Sequence, residues 1–163
     1  MRKNTTFTFA LFALFALFAL LGGKTFAQNH KAGDIAGIWY NEEKTSKVQV
    51  YQERNKFFAK IVWLKEPNDK ETGKPRVDNL NPDVKLQKTP LLGLVILKDF
   101  VFDGTDEWSG GTIYDPKNGK TYSSKIHFGD SPNLLKIRGY VGISLLGRNT
   151  YWTKTILLPA KGE

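Results

Sequence analysis

His127 follows Ser123 and Ser124 at strand-like spacing, and a hydroxyl polarised by an imidazole is the core of nucleophilic acyl transfer. In an extended strand successive side chains face opposite ways, so His127 shares a face with Ser123 and not with Ser124. Neither serine is followed by the strand-to-helix elbow that exposes a nucleophile. The other histidine, His30, is far away and the chain has no cysteine. A zinc ion would have to draw most of its ligands from carboxylates, so no metal is expected. Asp103, Asp106, Glu107 and Asp115 could pair as the acid and base of glycoside cleavage, but acids between strands more commonly cap turns. Glu66, Asp69, Glu71, Asp78 and Asp83, with Asn79 and Asn81, concentrate oxygen ligands. They lack the regular spacing, central glycine and closing glutamate of a calcium loop. No catalytic residue, metal or cofactor is assigned.

The aromatic side chains offer binding rather than reaction. Trp39, Trp63, Trp108 and Trp152, with Phe57, Phe58, Tyr114 and Tyr122, make the chain dense in large rings. Such rings usually fill a small β core. Where some line a cavity instead, Trp63, Trp108, Tyr122, Ser124 and Arg138 are the residues expected to meet a small apolar or amphipathic ligand.

These residues must be positioned by strands. From Gly37 onward short β-rich runs alternate with turn residues, and no amphipathic period near 3.6 persists. Eight runs read as strands: Gly37 to Tyr40, Lys47 to Gln52, Lys56 to Leu64, Leu94 to Phe102, Glu107 to Tyr114, Thr121 to Phe128, Leu134 to Val141 and Asn149 to Ile156. Asp103-Gly104, Asp115 to Gly119 and Gly129 to Asn133 combine self-capping side chains with residues that set or free φ. Short turns make neighbours antiparallel, and eight meandering strands remove their edges by closing into a barrel. A two-sheet sandwich is the alternative. Alternation places Phe57, Ala59, Ile61 and Trp63 on one face, and Tyr122, Ser124, Ile126 and Phe128 on another. The segment from Lys65 to Thr89 is long for a connection and rich in Pro, Asn, Asp and Lys. Such a segment is functional or disordered. Leu80 to Leu86 could hold one helical turn, with Asn81 as cap and Pro82 at the first position.

Gly37-Ile38-Trp39, Ile61 to Pro67, Pro90 to Leu94, Trp108-Ser109-Gly110-Gly111 with Tyr114-Asp115-Pro116, Gly119 to Tyr122 and Arg138-Gly139-Tyr140 together resemble DUF2147, a bacterial family of exported proteins. The likeness runs in the family's order from about Gly37 to Thr155. It implies a lipocalin-like β-barrel and a Gram-negative envelope location, and implies no catalytic residues. The Gly-x-Trp opening is also similar to the first-strand signature of lipocalins. There the Trp closes the barrel base beneath a late-strand Arg, a cation–π contact worth about 1 kcal/mol. By that likeness Trp39 is the closing ring and Arg148 its partner, with Arg138 as second candidate.

Arg2 and Lys3 precede an uncharged Phe/Ala/Leu run from Thr5 to Leu21, followed by Gly22-Gly23 and Thr25-Phe26-Ala27. That is the order of a cleavable secretory signal over residues 1–27, and the apolar run is shorter than the roughly 20 residues of a membrane span. The expected divisions are a signal over 1–27, an N-terminal extension over 28–36, a barrel over 37–157 and a tail over 158–163. The product would be periplasmic or secreted after cleavage near Ala27. Three of the chain's 24 bases and none of its 16 acids fall in the signal, so the remainder stays basic. That favours an anionic membrane surface over nucleic acid as partner, since nucleic acid is not expected outside the cytoplasm. Three functions follow in order: a non-enzymatic ligand-binding barrel with Lys65 to Thr89 as lid, an interaction protein of the envelope with a filled barrel, and a hydrolase-type enzyme.

Overall fold

Alternating apolar residues between turn formers become eight strands: β1 (Gly37–Tyr40), β2 (Ser46–Glu53), β3 (Lys56–Leu64), β4 (Val95–Phe102), β5 (Trp108–Asp115), β6 (Lys120–Phe128), β7 (Leu134–Tyr140) and β8 (Arg148–Thr155). The structure is a computed structural model and describes residues 30–157. The expected signal over 1–27 and the tail over 158–163 lie outside the described residues. Each strand pairs antiparallel with the next, and β1 also pairs with β8 through Ile38↔Thr155, Trp39↔Lys154 and Tyr40↔Thr153. The sheet is therefore a closed meander barrel, not a sandwich. Closure leaves no strand edge for another chain to extend.

The turns fix the register through their own side chains. The Asp103 carboxylate accepts from the backbone N–H groups of Thr105, Asp106 and Glu107. Burial opposes ionisation there, but these bonds, led by that of Thr105, outweigh it and hold the carboxyl at about 2. At the β5–β6 turn, Asp115 accepts from the Lys117 amide and Asn118 from the Lys120 amide. Gly119 there takes a φ of +68°, which a residue with a Cβ adopts only at a cost.

The interior is packed with side chains. Trp39, Val48, Phe57, Ala59, Phe100, Trp108, Ile126, Leu135, Ile137 and Trp152 are buried in one continuous cluster. Each large apolar side chain removed from water contributes roughly 1.5–3 kcal/mol. One end is sealed by the residues preceding β1. A 3-10 turn, Ala32–Ile35, lies across it, with the Ile35 side chain fully buried. Trp39 Nε1 donates to the Ile35 carbonyl at 2.9 Å and Trp108 Nε1 to the Ala32 carbonyl at 2.9 Å. His30 stacks on Phe128 at 4.3 Å.

Bulges decide which way several side chains point. Lys47 pairs with Trp63 but Val48 pairs with Ile61, so Val62 is an extra residue in β3. An extra residue breaks the two-residue alternation beyond it. Ile61 points in, whereas Trp63 shares the outward face with Lys47, Trp63 half-buried there and Lys47 buried with its ammonium on the Ile156 carbonyl. Two further shifts lie between β3 and β4, and Asp99 takes a φ of +66° there.

The segment between β3 and β4, residues 65–94, is ordered by its own pairing. Asn68 bridges Pro75 and Val77 bridges Pro90, while the amides of Asp78 and Leu91 donate to the carbonyls of Thr89 and Arg76. The helical turn expected over Leu80 to Leu86 is shorter, a 3-10 turn at Val84–Leu86 capped by Asp83 rather than Asn81. Asn81 is otherwise engaged: its side-chain Nδ2 donates to Asp78 and its Oδ1 accepts from the Asp83 amide.

Candidate functional site

Strand parity sends Lys98, Thr112, Tyr114 and Thr121 to the outside of the barrel. Lys98 faces Thr112 and Tyr114 faces Thr121 across neighbouring strands, while Leu97, Ile113 and Tyr122 alternate inward. The 65–94 segment folds back over this outer wall. Between the two lies a cleft of about 250 Å³ lined by Asn81, Pro82 and Leu86 from the segment, and by Leu94, Val95, Ile96, Lys98, Thr112, Tyr114 and Thr121 at the wall. The lining is apolar at Ile96 and Leu94 and polar at Lys98, Thr112 and Thr121. That mixture suits a small molecule with an apolar body and an acceptor or anionic end.

One buried group holds the segment against the wall. The Asp78 side chain is fully buried. Its Oδ1 accepts from the Tyr114 hydroxyl at 2.7 Å and its Oδ2 from the Asn81 amide at 2.7 Å. Burial of the ring, reinforced by the hydrogen bond to Asp78 and its charge, pushes the Tyr114 hydroxyl up to about 12. The proton therefore stays on the tyrosine, whose hydroxyl is the donor in this bond. Beside this rivet, Gly119 passes so close to the segment that a Cβ would stand 2.0 Å from the Leu80 carbonyl oxygen.

The residues expected to line an interior pocket do not converge. Trp63 is on the outer surface because of the Val62 bulge, edge-on to Tyr40 at 6.1 Å with the Lys47 ammonium 5.5 Å from its ring. Trp108 is wholly buried in the sealed end. Ser124 is buried too, its hydroxyl donating to the Arg138 carbonyl at 3.0 Å. The Arg138 side chain lies outside, where it binds the carbonyls of Ser144 and Leu145 and the side chain of Asn149. Of the five, Tyr122 alone is inward-facing and partly open, near the end opposite the seal, and its hydroxyl meets the Asn118 amide at 3.1 Å.

Trp39 is fully buried at the sealed end, and the cation over its ring is Lys154, 5.4 Å from the centroid. Arg148 pairs with Gly139 at the opposite end of β8. Six residues of strand, roughly 20 Å, separate it from Lys154. The 65–94 segment packs both along the outer wall at Tyr114 and against the β5–β6 turn at Gly119.

The acid at the start of β5 is engaged as well. Glu107 Oε2 lies 2.9 Å from Lys125 Nζ and 3.1 Å from His127 Nε2. Burial raises the Glu107 carboxyl, but hydrogen bonds from Lys125 and Ser109 and the charge of Lys125 bring it below its ordinary value. Ser123 is four residues of strand from His127, roughly 13 Å, so the two do not form a nucleophile and base. Among the described residues no three of His, Asp and Glu gather as metal ligands would.

A family model described as an uncharacterised protein conserved in bacteria, DUF2147, matches residues 37–154. The chain belongs to the DUF2147 family. The matched stretch begins and ends within the strands that close the barrel, so the family likeness spans the fold from β1 to β8. Protein HP1028 from Helicobacter pylori, described as belonging to the lipocalin family, is a solved structure of similar shape. It has a TM-score of 0.62 and 26% identity over 74% of this chain and 82% of that one. Nothing among the curated proteins matches. The DUF2147 barrel is thus lipocalin-like in architecture, and the cleft described above lies on its outer wall, between strands and the 65–94 segment.

Two features of this site escape a reading of strands alone. Asp78 stands in the sequence among several loop acids, and only its neighbour Val77, an apolar anchor, distinguishes it. The outward set Lys98, Thr112 and Tyr114 becomes visible once the bulges in β3 and β4 have been placed.

Proposed function

We propose that this DUF2147 domain is a non-enzymatic binding module that takes a small amphipathic molecule into the wall cleft. The observation that carries the reading is the 250 Å³ space itself, apolar at Ile96 and Leu94 and polar at Lys98, Thr112 and Thr121. It lies under a segment that a buried carboxylate fixes in place. A volume slightly below the range of drug-sized sites fits a short-chain amphiphile or the end of a longer one. The likeness to a lipocalin-family structure supports ligand carriage. The apolar run before Ala27 supports work outside the cytoplasm, in the periplasm or beyond, which N-terminal sequencing of the protein recovered from cells would test.

The binding reading is tested with an environment-sensitive apolar dye and with saturated fatty acids of increasing length as competitors. Dye binding that is lost in Thr112→Trp, whose ring would occupy the cleft from its wall, supports it. Tyr122→Ala, on the inward face, should leave binding unchanged. Loss in Tyr122→Ala with retention in Thr112→Trp would move the site to the barrel mouth and refute the cleft.

A further inference from the structure

The connection between β7 and β8 is the most apolar exposed stretch among the described residues. Val141, Ile143, Leu145 and Leu146 are 74%, 61%, 82% and 77% exposed within seven residues. Monomeric proteins rarely leave such a group in water without a partner. The loop is not loose. Arg138 crosses beneath it, with Nε 2.7 Å from the Ser144 carbonyl, Nη2 2.9 Å from that of Leu145 and Nη1 2.9 Å from Asn149 Oδ1. A 3-10 turn at Ser144–Leu146 adds bonds from the Leu146 amide to the Ile143 carbonyl and from the Gly147 amide to the Ser144 carbonyl. Gly147 packs so closely on the Gly139 carbonyl that a Cβ there would stand 2.6 Å away. The carbonyls of Ile143, Ser144 and Leu145 are therefore already paired.

The other backbone groups of the loop, among them the amides of Val141 to Leu145, keep water or lipid headgroups as partners where the loop rests in the interfacial layer and only its side chains reach towards hydrocarbon. Charge points the same way. The outer face of the strands behind the loop carries Lys125, Lys136 and Arg138, and Arg148 follows the loop directly. The facing acids are Glu107, already shared by Lys125 and His127, and Glu42, whose carboxylate lies by the Tyr151 amide. Lys125 stands directly opposite Arg138, and Lys136 opposite His127. Glu107 offsets Lys125, so the charge left for an anionic surface is that of Lys136, Arg138 and Arg148.

We infer that the 141–147 loop is a membrane-docking element, its four apolar side chains entering the interface of an anionic phospholipid bilayer while the basic wall behind them meets the headgroups. Each base near such a surface strengthens binding by roughly fivefold. Each leucine returned to water weakens it by roughly tenfold. The same end of the barrel carries the 65–94 segment, where Leu80, Val84 and Leu92 are also exposed.

The absence of cysteine makes a site-specific test direct. Ile143→Cys and, in the turn at the sealed end, Asn55→Cys are each made in the full chain, labelled with the fluorophore NBD and mixed with vesicles. The vesicles are phosphatidylcholine alone or phosphatidylcholine with phosphatidylglycerol. The label at 143 should shift to the blue and be quenched by doxyl-labelled lipid only when phosphatidylglycerol is present, and the label at 55 should stay in water. Adding Leu145→Ser and Leu146→Ser should reduce vesicle affinity by roughly 100-fold. An unresponsive label at 143 would overturn the inference, as would equal responses at both positions, which would mean adsorption through another part of the chain. So would an equal response to phosphatidylcholine alone, or a lipid-free response that grows with protein concentration and reports contact between copies. The cleft reading stands or falls separately, because the dye and fatty-acid assay contains no vesicles.

Discussion

Replacing Tyr114 by Phe removes one oxygen from the point where the 65–94 segment meets the barrel. The hydroxyl is the partner of Asp78 Oδ1 at 2.7 Å, and Asp78 is fully buried with its other oxygen committed to Asn81. A hydrogen bond to a charged group contributes about 1.5–3 kcal/mol, and the oxygen left behind has no water to turn to. We expect a loss near 2 kcal/mol in urea unfolding at pH 7, or roughly 5–10 °C in Tm. Where the segment lifts locally, the amides of Asp78 and Leu91, which donate to Thr89 and Arg76, should exchange faster by roughly 30-fold. The pH dependence provides a second reading. Tyr114 is held up to about 12 in the fold, against an ordinary value of 10.0. Between those values the folded chain keeps a proton that the unfolded chain has released. The contribution is therefore complete below pH 10 and is lost as pH rises towards 12. The full shift corresponds to about 2.7 kcal/mol, and water at the partly open ring edge reduces this to about 1–2 kcal/mol. Wild type should lose that much more than Tyr114→Phe over the interval, the other tyrosines being common to both. A variant within about 0.5 kcal/mol of wild type at pH 7, or identical slopes from pH 10 to 12, would refute the rivet.

Gly119→Ala and Gly73→Ala form a matched pair, since both glycines have a φ of +68° but only the first would drive a Cβ to 2.0 Å from the Leu80 carbonyl oxygen. Urea unfolding should show a cost of about 1 kcal/mol at position 73 and about 2–4 kcal/mol at 119; equal costs would deny the close approach. The Asp103 carboxyl, held at about 2, lies below its unfolded value. Its contribution is present above that unfolded value and disappears as pH falls through about 2. A carboxyl carbon titration by NMR should give a midpoint near 2, and a midpoint at the ordinary 3.8 would mean that the turn's amides do not converge on it.

The strands were legible because their signals are local. Alternation and turn chemistry place all eight to within one residue of their limits, and short turns leave antiparallel neighbours as the consequence. Closure followed from the need to cover edges. The position of Trp63 was not legible, because one extra residue at Val62 inverts every expectation beyond it, and nothing in the run Ile61 to Leu64 marks which residue is extra. The cation over Trp39 is hidden from the sequence for a related reason. Arginine is the lipocalin-like partner, but the register of β1 on β8 brings Lys154, not Arg148, beside the ring. Asp78 was visible as an acid and hidden as an anchor, since its partner Tyr114 is 36 residues away and the pairing depends on how the long segment folds back.

The same geometry explains why the outer surface is the place to look for activity in this barrel. Inward positions in the sealed half are filled by Trp39, Trp108, Trp152 and Phe100, whose displacement by a ligand would cost packing that holds the fold. A molecule binding in the wall cleft displaces no core side chain. It meets a strand surface already fixed by its ladders and a segment already fixed by Asp78, so little ordering opposes it. Loosening the rivet in Tyr114→Phe should therefore weaken cleft binding as well as stability, whereas a ligand held inside the barrel would not sense the loss.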